Sequence, residues 1–161
     1  METMVMSEIE RIHQRLRRIV EGDSWHGPSL REILQEVSAP EAYARPIPGA
    51  HTIWELVLHI GAWAGAVRMR LGGERAELSD EENFPTVTDA SQEAWEAARS
   101  GMEEEHRLLA ETVAGLDESR LDGAVVEGMS SVYNHLHGLI EHSLYHAGQL
   151  MLLKRALEAR G

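Results

Sequence analysis

Read along its length, the chain is an all-α protein, a four-helix bundle with one long crossover, and three features say so. Apolar residues recur at helical spacing in four long stretches. No stretch alternates convincingly as a strand. The connection between the second and third of these stretches is long enough to run back along a whole helix, whereas short loops throughout would force a simple up-down-up-down order.

The first long helix is predicted from about Ser7 to Val20, with Ile9, Ile12, Leu16, Ile19 and Val20 on one face and Ser7 and Glu10 forming a capping box. Gly22 ends it. A shorter helical segment follows from Ser29 to Val37, where Ser29 and Glu32 repeat the capping pattern. SAPEAYARPIPGAH comes next, and Pro40, Pro46 and Pro48 predict no regular helix there. The second long helix opens at Thr52, capped with Glu55, and stops near Gly72 and Gly73.

GGERAELSDEENFPTVT carries two glycines, a proline and an acidic run, and is expected to be a surface connection without regular structure. At about 3.3 Å per extended residue it can span a twenty-residue helix, which allows the second and third long helices to run parallel. The third begins near Thr88 or Asp89 and continues through Trp95, Met102, Leu108, Leu109 and Val113 to Gly115. The fourth opens after Ser130 or Ser131 and reaches about Ala159, with Lys154, Arg155 and Arg160 complementing the negative end of its dipole.

Composition limits what such a bundle can do. With 161 residues and 43% apolar content, residues 1–161 are read as one domain able to bury a core. There is no cysteine, so thiolate metal sites and disulfides are excluded, and a transition metal must be held by imidazole, carboxylate or water. That absence, together with a start, METMVMSEIERIHQRLRR, that lacks the layout of a secretion signal, fits a cytoplasmic protein. No apolar run suits a membrane span: the most apolar helix contains Glu55, His59, Arg68 and Arg70. A net charge of −12 argues against nucleic acid as a partner, since phosphates demand a basic surface. Arg11, Arg15, Arg17 and Arg18 alternate with Glu8, Glu10 and Glu21 and read as a solvated face.

Nine histidines carry the chemical signal. His142 and His146 lie one turn apart in the fourth long helix, which sets their β-carbons roughly 5–6 Å apart on one face, close enough to share a divalent metal. Helical histidines often merely pack, and this spacing alone is a weak signal. His59 lies near the middle of the second long helix, at matching depth if the two helices are neighbours, and alone would be a hydrogen-bonded core residue. Together the three make a site with one position left for water or substrate, as in catalytic rather than structural zinc.

The remaining candidates divide by geometry. His135, seven residues before His142, returns to nearly the same face but about 10.5 Å away along the axis, so it is placed higher in the same groove as a substrate contact or proton carrier. Glu55 is a candidate outer-shell acceptor or general base, although its capping role suffices to explain it. Gln149 is a candidate to orient His146 or simply to fill the helix surface. His137 projects to the opposite side, His51 takes a loop or capping role, and His13, His26 and His106 are read as surface residues.

PGAHTIWELVLHIGAW and HGLIEHSLYHAGQLMLLKRAL resemble the ligand-bearing blocks of the DinB-like, or DinB/YfiT, superfamily of small metal-binding helical bundles, with His59, His142 and His146 at its ligand positions. The order of elements extends the likeness over nearly the whole chain. The resemblance implies an up-down-down-up bundle, frequently a homodimer. It also implies a relationship to enzymes that transfer or isomerise small-molecule substrates with a low-molecular-weight thiol such as bacillithiol, mycothiol or glutathione, activated by a divalent metal. A mononuclear metalloenzyme, a thiol-dependent S-transferase or isomerase acting on small electrophiles, is therefore the first expectation. The alternatives are a metal-dependent hydrolase, or a non-catalytic stress-response or binding module whose metal is structural or absent. Three neutral imidazoles suit zinc or nickel foremost, and also iron or copper.

Overall fold

The computed structural model describes residues 6–160, so the first residues of the N-terminal stretch weighed as a secretion signal lie outside it. Helix α1 spans Glu8–Glu21, α2 Leu30–Leu34, α3 Ala39–Tyr43, α4 Ile53–Leu71, α5 Asp80–Asn83, α6 Gln92–Ala114 and α7 Val132–Glu158, with a 3-10 turn at Glu118–Arg120. The described residues form no strand, only an isolated bridge between Ala124 and Ser131. The protein is all-α.

Serine and threonine caps set most helix starts. Ser7, Ser29, Thr52 and Ser79 each accept a bond from the backbone three residues on, and Glu10, Glu32, Glu55 and Glu82 reach back to the cap N–H. Gly22 closes α1 at φ 126°, a conformation that favours glycine. Where the expected boundaries were off, local backbone chemistry explains the difference. The third long helix starts at Gln92 and not near Asp89, because Asp89 instead accepts a turn-forming bond from the N–H of Ser91, the true cap. The segment after Ser29 is helical only to Leu34.

Two stretches expected to lack helix contain one turn each. Pro40 does not prevent α3, since it sits in the first turn, where a missing N–H leaves no bond unmade. The crossover folds α5 behind the cap of Ser79. The basic residues after the middle of α7 also do more than face its dipole: Lys154 donates to the carbonyl of Ile33 at 2.7 Å, and Arg160 donates to that of Pro46.

The long helices enclose one apolar core. α4 packs against both α6 and α7, and α1 packs against the same two from the other side. Trp95 is fully buried and donates its indole N–H to Val37 at 2.6 Å, tying α6 to the end of the α2 segment. Glycine lets α4 approach α6 closely: a β-carbon on Gly61 would meet Met102 Cα at 3.2 Å, and one on Gly65 would meet the Glu105 carboxylate at 3.3 Å. Arg68 then pairs with Glu105 at 3.0 Å along the same seam. The α4–α7 seam, by contrast, is lined by imidazoles.

Candidate metal centre

His59 on α4 and His142 and His146 on α7 converge at that seam. Each offers one ring nitrogen, and those atoms all lie within 4.8 Å of one another. Their ring centroids form a nearly equilateral triangle, with 4.8 Å between His59 and His142, 4.7 Å between His59 and His146, and 4.5 Å between His142 and His146. The i, i+4 spacing on α7 supplies two corners and the depth of His59 on α4 supplies the third.

Hydrogen bonds fix which nitrogen of each ring faces the cluster. His59 Nδ1 lies 2.8 Å from the carbonyl oxygen of Asn83, which can only accept, so Nδ1 carries the proton and the Nε2 lone pair points inward. His146 Nδ1 donates in the same way to Gln149 Oε1 at 2.7 Å, freeing its own Nε2. His142 Nε2 sits 2.8 Å from His59 Nε2, so His142 donates a proton into the lone pair of His59. That proton occupies the place where a cation would be shared. His142 Nδ1 has no protein partner although it is buried.

All three rings are held neutral. Burial pushes His142 down to about 3, helped by the charges that His146 and His59 would carry. Burial also lowers His59, which is 5% exposed, and His146, which is 7% exposed, against the raising effect of their oxygen acceptors. Neutral imidazole is the form that ligates, and acceptors on the second ring nitrogen are the support that metal-bound histidines need. The donor set therefore fits one divalent transition metal.

The crossover forms one wall of the site, a role that its loop-like composition does not announce. Asn83, at the end of α5, binds His59 through its backbone and accepts from Trp63 Nε1 through its side chain at 2.9 Å. Phe84 is sandwiched between His59 and His51, with ring centroids 4.1 and 3.9 Å apart and near-parallel planes. The only signal available was the acidic run after Ser79, which reads as a capped helix start once its Ser-x-x-Glu spacing is noticed.

The other candidates fall into place individually. Glu55 makes its capping bonds with Thr52, and its carboxylate also binds Arg45 at 2.7 Å and His51 at 3.2 Å, which occupies both oxygens. Gln149 accepts from His146 as described. His135 lines a cavity of about 300 Å³ that also exposes a face of His142, and its Nδ1 donates to the carbonyl of Ser131 at 3.1 Å. His137 packs against Tyr133 on another side of α7, with ring centroids 4.2 Å apart. His106 corrects the surface reading: it is 3% exposed inside the core, with Nδ1 donating to the carbonyl of Met102 at 2.9 Å and Nε2 unpartnered. Its neighbours on α6, Glu103 to Glu105 and Arg107, made that turn look wholly solvated.

A family model described as the DinB superfamily matches residues 24–150, a span that contains all three clustered histidines and leaves out α1. No curated protein and no solved structure matches the chain. Among the described residues, no helix is long and apolar enough to cross a membrane.

Proposed function

The chain belongs to the DinB superfamily, and on that footing we propose that it is a mononuclear metalloenzyme in which His59, His142 and His146 hold zinc or nickel and a small-molecule thiol attacks an electrophile. One observation carries this reading: three neutral imidazoles converge with their ring nitrogens within 4.8 Å of one another, and one of them, His142, lines a cavity of about 300 Å³. A purely structural metal would be closed off from solvent by a fourth protein ligand. A bound divalent cation favours thiolate over thiol at neutral pH, a nucleophile that this cysteine-free chain cannot supply itself.

The chain's own residues do the remaining work. Asn83 and Gln149 hold His59 and His146 in the ligating tautomer, and Phe84 fixes the plane of the His59 ring. His135 keeps its Nδ1 proton on Ser131, which leaves Nε2 as a proton acceptor in the cavity wall for the thiol or the attacked molecule. In the attack, the sulfur electron pair forms the new sulfur–carbon bond. For a transferase, the displaced group leaves with its own bonding pair; for an isomerase, the same sulfur–carbon bond later breaks to release the rearranged molecule.

We read residues 1–161 as one domain with up-down-down-up helix order, supported by the pairing of Gly61 with Met102 and of Gly65 with Glu105, which suits α4 and α6 running parallel. A homodimer is supported by Tyr145 and Leu152, exposed seven residues apart on one face of α7. A cytoplasmic setting accords with the absence of cysteine.

Metal analysis of protein purified without an affinity tag, followed by cobalt substitution and thiol titration, tests the reading. One metal per chain is expected, with a thiol-dependent change in the visible spectrum. Absence of metal uptake, with a melting temperature unmoved by zinc or nickel, would favour a non-catalytic module instead.

A further inference from the structure

The cavity beside His142 carries a charge pattern of its own. Its walls include Trp63, Arg70, Ser130, Asn134 and His135, and no aspartate or glutamate lines it, in a chain whose net charge is −12. Arg70 is the one permanent cation there. Its Nε donates to the carbonyl of Ala76 at 2.8 Å, which anchors the guanidinium, and it makes no ion pair among the described residues. The guanidinium carbon sits over Trp63 at 5.5 Å from the ring centroid, and the centroid of the same ring lies 6.0 Å from that of His142. Trp63 is thus a common wall running from the imidazole cluster to Arg70.

A second feature reinforces the first. Ser130 immediately precedes the cap of α7 and Asn134 lies in its first turn, and that turn of a 27-residue helix contains no acidic residue. The N–H groups of that turn are taken by Gly123, Leu121 and Ser131, but no carboxylate on it competes with the fork of Arg70 for an anion.

We propose that this cavity binds an anionic small molecule, with a carboxylate on Arg70 at one end and the reacting sulfur or electrophilic centre beside His142 at the other. The inference rests on the metalloenzyme reading and narrows its substrate class: the thiol or its electrophile carries a carboxylate several bonds from the reacting atom. Arg70 would act as a specificity residue, pairing with the carboxylate through guanidinium nitrogens that Ala76 leaves free. The stacked Trp63 would desolvate the pair and strengthen it.

Calorimetric titration of zinc-loaded protein with 3-mercaptopropionate, 6-mercaptohexanoate and 8-mercaptooctanoate, each beside the mercapto-alcohol of the same length, tests this. At one chain length or more, the carboxylate is expected to bind about tenfold tighter than its alcohol, the worth of one charge-assisted pair. Arg70→Met, which keeps an aliphatic stem on Trp63, should erase that preference while leaving zinc affinity unchanged, and Arg70→Lys should restore part of it. Equal affinity for acid and alcohol at every length, no binding of any probe, or a preference that survives in Arg70→Met would overturn the proposal. Should Arg70→Met fail to fold, the comparison of acid and alcohol on the unaltered protein decides alone. Thiol binding without carboxylate preference would sink this inference and leave the metalloenzyme reading standing, whereas failure to take up zinc would remove both.

Discussion

His59 donates from Nδ1 to the carbonyl oxygen of Asn83 across 2.8 Å, so the crossover between the second and third long helices holds a ring of the imidazole cluster in its ligating tautomer. Asn83 also fixes Trp63, and its neighbour Phe84 stacks on His59. Phe84→Ala should therefore weaken metal affinity by about 10–100-fold, the usual cost of losing an outer-shell support, without unfolding the bundle. Competition with a chelator measures the affinity and circular dichroism the fold; undiminished affinity would make the clasp irrelevant to the site.

His146→Ala should abolish tight metal binding, whereas His135→Ala should leave it nearly intact. The first removes a corner of the triangle. The second removes only a cavity wall, since His135 is bonded to Ser130 and Ser131 and takes no part in the cluster. Equilibrium dialysis with zinc separates the two variants, and equal loss in both would contradict the geometry.

Acid should destabilise the metal-free protein through His142 before it protonates most carboxylates. Burial holds His142 neutral down to about 3 in the fold, while the unfolded chain takes up that proton near 6.5. The stabilisation is complete above the unfolded value and is lost progressively as pH falls from there towards about 3. His59 and His146, also lowered, add in the same direction. Denaturant melts between pH 7 and 4 should show stability falling with pH, with a shallower slope in His142→Gln; identical slopes would locate the acid sensitivity elsewhere.

Gly61 and Gly65 should respond differently to alanine. At Gly61 the new β-carbon meets the backbone of Met102 at 3.2 Å, so the α4–α6 seam must open, at about 1–3 kcal/mol. At Gly65 it meets the end of the Glu105 side chain, which can move, and the helix gains up to about 1 kcal/mol in propensity. Thermal melts of the two variants give the comparison, and equal destabilisation would contradict the packing described.

The cluster was legible in the sequence because its three histidines sit inside strongly periodic helices, where spacing fixes the face and position along the helix fixes the depth. Ser7, Ser29 and Thr52 announced their helices by the same kind of short-range rule. What escaped was set by contacts distant in sequence. Asn83 and Phe84 lie in a stretch whose polarity and proline signal a loop, and only the docking of that loop on α4 brings them to His59. His106 escaped because three of its neighbours are acidic, while its own direction is inward. The capping role of Glu55 is encoded locally by its spacing from Thr52, whereas its bonds to Arg45 and His51 depend on the loop folding back, which no local pattern encodes.

X-ray absorption at the metal edge of the zinc-loaded protein tests the central claim most directly, because it counts imidazole ligands without requiring a substrate. Three histidine nitrogens at about 2.0–2.1 Å are expected, with an additional light-atom ligand that a small thiol replaces by sulfur at about 2.3 Å. A shell with fewer than three imidazoles, or one completed by a fourth protein ligand and indifferent to thiol, would contradict an open three-histidine centre.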